Sequence, residues 1–200
     1  MIKSFHAIIF CLIIISSCTT GSITFQNLYT SIKPIVNPDK SIPDQYNEDF
    51  PYAYASVRVG RGQIIYVVLS EADNKVLRWI SNDGFEIMTI NGKIIASNGF
   101  EKNISFLNAN HELALSNIKE INFVVSISSD THSAFDANMN LIRKKKDELI
   151  EEEFSIKSMK WSGKNKFYLN NEGKVYRSIN YINPLMPKVE MNFYKLHKDH

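Results

Sequence analysis

The sequence predicts an all-β domain, mainly antiparallel, whose sheet curls into a barrel or half-barrel. A short N-terminal helix, with room for one more short helix, completes the expected inventory. Three observations carry this reading. Gly60-Arg61-Gly62, Asp73-Asn74, Asp83-Gly84 and Asn91-Gly92 recur at intervals of roughly ten residues, the rhythm of an antiparallel meander. Asn-Gly and Asp-Gly suit hairpin turns because both central residues take positive φ. The segments between these turns are rich in β-branched and aromatic residues, as strands require.

In chain order, strands are expected at Val57–Val59, Ile64–Leu69, Val76–Ile80, Phe85–Ile90 and Lys93–Ala96. The run "IIYVVL" is apolar on both faces, which marks a central strand. Residues 118–129, "IKEINFVVSISS", read as a further strand. The stretch "LIRKKKDELIEEE" over 141–153 fits either a short exposed helix or two strands around a charged turn. Residues 154–161 return to strand chemistry, and "KFYLNNEGKVYRS" is a hairpin around Asn170–Gly173. "KVEMNFYKL" alternates Val189, Met191 and Phe193 against Glu190, Asn192 and Tyr194, a half-buried last strand. Nine or ten short strands would curl to shorten their exposed edges.

The first fifty residues are different in kind. Lys3 supplies a positive start, and an apolar run extends from Phe5 to Ile15. As a helix this run rises only ~17 Å, too short for a hydrocarbon core roughly 30 Å thick. It fits the apolar region of a secretory leader. Ile15-Ser16-Ser17-Cys18 then resembles a bacterial lipobox, in which small residues admit a peptidase and the cysteine takes a diacylglyceryl group. Thr19 stands where an aspartate would resemble an inner-membrane retention signal. These features divide the chain into a signal peptide over 1–17, a lipidated N-terminus and tether over 18–50, and a β-rich periplasmic domain over 51–196. Phe25, Leu28 and Ile32 fall at helical spacing within the tether. Pro34 ends that helix, and Pro38, Pro43 and Pro51 keep the chain beyond it irregular. Cleavage before Cys18 removes Cys11, so no disulfide is expected and a packed core must supply stability.

Charge is nearly balanced, with 23 Lys and Arg against 21 Asp and Glu, so no global field draws nucleic acid. Candidate sites are sparse. Ser129, Asp130, His132 and Asp136 could form a hydrolytic or metal constellation, but an Asx turn with a solvated histidine explains them more simply. Glu71, Asp73, Glu101 and Glu112 read as solvated acids of turns and loops. Trp79, Trp161, Tyr66, Tyr168 and Tyr176 fall on strands and could contact glycan; core packing is the simpler reading for Trp79. Arg58 and Arg177 suit surface ion pairs. Arg143–Lys146 could lie on anionic lipid, although Asp147–Glu153 oppose that.

The pattern Pro51-Tyr52-Ala53, Arg58, Gly62, Trp79, Ser81, Asp83-Gly84 and Asn91-Gly92-Lys93 resembles the signature of the capsule and exopolysaccharide lipoproteins of GfcB/YjbF type. "FYLNNEGKVYRSINYINPLMPKVEMNFYK" is similar to the closing hairpin and last strand of that family. The middle, 100–155, departs from it. So does Arg177-Ser178-Ile179-Asn180, where the family carries Arg-Ser-Arg/Gln, which puts one polar partner in doubt.

The resemblance implies an outer-membrane lipoprotein facing the periplasm. It would be a non-catalytic accessory factor in capsule or exopolysaccharide secretion or assembly. Its expected partners are the outer membrane through the lipid anchor, an outer-membrane β-barrel and other polysaccharide-secretion proteins, with glycan as a further possibility and no nucleic acid. No catalytic, cofactor-binding or metal-binding residue is implied; Cys18 is the one site residue, for lipidation. Two rivals stand beside this reading. A lipid or lipoprotein carrier requires an apolar cavity lined by residues such as Ile65, Val67 and Ile87. A polysaccharide-modifying hydrolase requires two carboxylates or a metal triad in one cleft.

Overall fold

The computed structural model describes residues 52–73, 75–107, 120–129 and 132–195. The expected leader, tether and N-terminal helix lie outside these residues. Twelve antiparallel strands succeed one another. They are β1 Tyr54–Val59, β2 Ile64–Asp73, β3 Val76–Ile80, β4 Glu86–Ile90, β5 Lys93–Asn98, β6 Lys102–Phe106, β7 Glu120–Ser129, β8 His132–Lys146, β9 Leu149–Ile156, β10 Trp161–Leu169, β11 Val175–Asn180 and β12 Val189–Lys195. Each pairs with its neighbours in sequence, and β12 returns to pair with β1, closing a barrel. Closure removes the two sheet edges that a twelve-stranded meander would otherwise leave open.

The turns form where the dipeptides require. Asn91 and Gly92 take φ of 47° and 77°, the left-handed pair of a tight hairpin. Glycine is needed at 92 for a second reason: a Cβ there would lie 2.6 Å from Val175 Cγ1. Strands β1 to β5 fall where the sequence places them. Residues 141–153 take the second of their two expected forms, strands β8 and β9 around a charged turn, and the helical alternative is displaced. Only a 3₁₀ turn, Lys157–Met159, interrupts the strands here. The barrel has twelve strands rather than nine or ten because β6 and the long β8 arise within 100–155. Asn and Lys residues on the outer face masked their alternation.

That alternation builds the core. Ala55, Val57, Val67, Trp79, Ile87, Val125, Leu141, Ile156, Phe167, Val189 and Met191 expose no surface at all. Each fully buried large apolar side chain contributes roughly 1.5–3 kcal/mol of transfer free energy. Trp79 lies against Phe193 at 5.4 Å and donates its indole N–H to Thr89 Oγ1 at 2.9 Å. Gly163 sits under the Phe154 ring, so close that a Cβ would meet Phe154 Cζ at 2.6 Å.

One seam differs from the rest. β5 and β6 share a single register pair, Ala96↔Ser105. The first half of β5 instead meets β11 on the far side of the ring. Ile94 N–H donates to Asn180 Oδ1 at 3.1 Å, and Asn180 Nδ2 donates to the Gly92 carbonyl at 3.2 Å. The Asn180 carboxamide thus acts as a strand partner of one residue. It draws the start of β5 inward and aims Lys93 into the barrel.

Candidate functional site

The most chemically loaded place in the described residues is the barrel interior. Strand register sets Arg143 of β8 beside Glu152 of β9, and Glu152 beside Asn165 of β10. The pair Lys166↔Ile179 brings Asn180 of β11 to the next position in this row. From the opposite wall, Lys93 Nζ reaches Glu152 Oε2 at 2.5 Å. Arg143 Nε donates to Glu152 Oε1 at 2.9 Å, and Nη2 donates to the same oxygen. Asn165 Oδ1 accepts from the Tyr181 N–H at 2.9 Å. Lys93, Arg143 and Glu152 are 3%, 7% and 0% exposed, so this is an ion cluster sealed from water.

Its electrostatics are set by burial. Desolvation, the largest influence, would raise the Glu152 carboxyl; Lys93 and Arg143 together outweigh it and hold the group below its ordinary range. Desolvation lowers the Lys93 ammonium, and Glu152 only partly restores it. Lys93 also sits 5.2 Å from the Phe106 ring centre and 6.0 Å from that of Phe123, where the ring faces attract a cation. Such a cluster ties β5, β8 and β9 together.

The sequence offered Arg143 only as a lipid contact and Lys93 only within the family pattern, and it did not single out Glu152 or Asn165. A signal was nonetheless present. Glu152 falls in phase with Ile150, Phe154 and Ile156, and β9 alternates half-buried and buried throughout. Arg143 falls in phase with Ala137, Met139 and Leu141. A charge on the apolar phase of a strand announces a buried ion that needs a partner. At the Arg177-Ser178-Ile179-Asn180 departure, Ile179 stands where the family carries Arg or Gln, and Asn180, on the opposite face of β11, makes the polar contact to β5.

The other candidates are dispersed. Ser129 opposes His132 at the end of the β7–β8 hairpin, while Asp136 opposes Ser126 further down. Asp136 lies four residues from His132, ~13 Å along an extended strand. It faces solvent, and Asp130 lies outside the described residues. Among the described residues no group of three or more His, Cys, Asp or Glu is placed to hold a metal ion. Glu71 and Glu86 both contact Arg78, at 3.5 and 2.9 Å. Glu101 is exposed, and Glu112 lies outside the described residues.

Trp79 is core, as the simpler reading held. Trp161 packs edge-on to Phe154 at 4.8 Å. Tyr66 neighbours Tyr194 at 6.5 Å on the outer wall, and Tyr168 neighbours Tyr176 at 6.4 Å. Arg58 is exposed. Arg177 pairs with Glu190 at 2.6 Å and lies over Tyr168. The run Arg143–Lys146, for which a solvated face was the simpler reading and lipid contact the alternative, is exposed at Lys144–Lys146, but Arg143 is interior and bound to Glu152. Cys18 lies outside the described residues.

A closed twelve-stranded antiparallel barrel with a buried ion cluster in its interior is the class of domain that the described residues define. The chain belongs to the group 4 capsule polysaccharide lipoprotein family, GfcB/YjbF, whose profile it matches over residues 22–194. It is similar to the uncharacterized lipoprotein GfcB of Escherichia coli strain K12, with 29% identity over 68 residues. That alignment covers 34% of this chain and 32% of the relative, about a third of the relative's length. The crystal structure of the hypothetical lipoprotein YmcC of Escherichia coli K12 shares the fold, with a TM-score of 0.70 at 19% identity. The superposition covers 90% of this chain and all of that one. Family membership establishes a capsule-related lipoprotein and, with it, an anchored place in the cell envelope.

Proposed function

We propose that this protein is an outer-membrane lipoprotein, anchored through Cys18 and facing the periplasm. In this role it is a non-catalytic accessory factor in capsule or exopolysaccharide secretion. The tether over 18–50 gives the barrel reach, and the partners are secretion proteins, an outer-membrane β-barrel among them. The observation that carries the reading is the interior. A domain of a capsule lipoprotein family pairs its buried charges with one another, which leaves contact with partners to the outer surface.

The two rivals fare worse on the same geometry. A carrier needs open space against Ile65, Val67 and Ile87. Val67 and Ile87 have no accessible surface, so nothing the size of a water, let alone an acyl chain, fits beside them; Ile65 is half-buried and packs against the core. A hydrolase needs a reachable acid pair, and the carboxyl inside the barrel, Glu152, is buried and bound to Lys93 and Arg143.

Gene deletion tests the role. The expected result is loss of surface polymer with unchanged composition of the polymer that remains in the cell. Altered sugar composition or chain chemistry would overturn it in favour of the hydrolase. Replacing Cys18 with serine should give the same loss and release the protein from the membrane fraction. Mass spectrometry of the native N-terminus should find an acylated cysteine.

A further inference from the structure

The β7–β8 hairpin is taller than the wall beside it. β8 pairs with β7 from His132 to Ile142, but with β9 only from Asn140 to Lys146. Among the described residues, the stretch from His132 to Met139 therefore has a strand partner on one side only, with the 3₁₀ turn Lys157–Met159 against β8 where β9 ends. Ser133, Ala134, Phe135 and Asp136 are all exposed, so neither face of the tip is covered. Phe135 shares its side of the strand with Ala137, Met139 and Leu141, which are buried, yet it is 50% exposed. Its ring is the one member of that apolar row the barrel does not cover.

An uncovered edge presents N–H and C=O groups that another strand can take up. Folds usually guard such edges with charge or proline. Between Ser133 and Ile142 there is no proline, and Asp136 is the only charged residue. We propose that the β8 edge over Ser133–Met139 is a strand-addition site. Its occupant is an extended segment of a partner protein that alternates apolar with basic residues. The apolar side chains lie on the row of Phe135 and Ala137, and a basic one meets Asp136 on the opposite face. The same aspartate selects against acidic strands. It also selects against a second copy, since antiparallel pairing of two such edges about their middle sets two Asp136 carboxylates side by side. The site stands apart from the export role and does not depend on it.

Hydrogen exchange read by mass spectrometry on the full mature chain in detergent tests this, with two end-blocked octapeptides as probes. One alternates valine with lysine, the other valine with glutamate. In free protein at low concentration the amides of 133–139 directed away from β7, alternate residues, should exchange fast, while those bonded to β7 are slow. The Val/Lys peptide should slow that stretch at least tenfold, and the Val/Glu peptide should not. Asp136→Lys should invert the preference, with unchanged protection in β9 and β10 showing that the barrel is intact. Three results would overturn the proposal. They are slow exchange of all the 133–139 amides without peptide, equal or absent effects of the two peptides at 133–139, and protection that grows with protein concentration alone, which would mean the edge serves self-association.

Discussion

Glu151, Glu152 and Glu153 are consecutive, yet they live in different media. Glu152 points into the barrel between Lys93 and Arg143 and is sealed. Glu151 and Glu153 point outward to Lys164, at 3.3 and 3.2 Å, in a ladder open to water. The outer pairs are screened by solvent and salt, so they contribute little. The inner cluster has been stripped of water, and its carboxylate is tolerable only with a cation beside it. A period of two in the backbone thus turns one acidic run into a structural lock and a solvated surface. The lesson extends to Arg143 and Lys144, which part in the same way.

The comparison can be broken hardest at its centre. Glu152→Gln leaves Lys93 and Arg143 buried without their shared carboxylate. It should lower unfolding free energy by about 3–5 kcal/mol, read from urea midpoints at constant slope. The same residue governs acid stability. Its folded pKa lies below the ordinary 4.5, so its stabilisation is complete above that value and is lost as pH falls through the folded one. Wild type should therefore lose stability steeply below about pH 4.5, and Glu152→Gln should show a shallower slope there. Parallel curves would remove the ion lock from the account.

Asn180→Leu comes next. It leaves Ile94 N–H and the Gly92 carbonyl buried without partners, and should cost about 2–3 kcal/mol. Faster amide exchange over 92–96 should accompany it. Gly163→Ala forces a methyl into the Phe154 ring and should cost about 1–3 kcal/mol. Lys93→Met sharpens the comparison further. Burial already disfavours the Lys93 ammonium, and Glu152 keeps Arg143, so the change should stay within about 1 kcal/mol of wild type. The smallest effect belongs to the outer ladder. Lys164→Ala should leave the urea midpoint unchanged within error in high salt.

Much of the fold was readable. Turn dipeptides and β-branched runs marked β1 to β5, and alternation marked β12, because these signals are local. Within 100–155 the strand at 118–129 was legible as β7, while β6 and most of β8 were not. The strands of this region carry Asn, Lys and Glu on the outer face, and a charged stretch such as 141–153 satisfies helical and strand periods about equally. The ion lock was half readable: phase shows that Glu152 is inside, but nothing local shows that Lys93, fifty-nine residues away, meets it.

The sequence by itself determined an antiparallel β domain, its turns, the composition of its core and the leader motif that points to lipidation. Each depends on neighbours along the chain, through propensity, pleat and turn geometry. Only the tertiary structure decided that the sheet closes through β1 and β12, that Asn180 pulls β5 inward and that three distant charges share one dry place. It also decided that β8 outruns β9 and leaves an edge uncovered. These are matters of register between strands far apart in sequence, and register is chosen by what the closed ring can bury together.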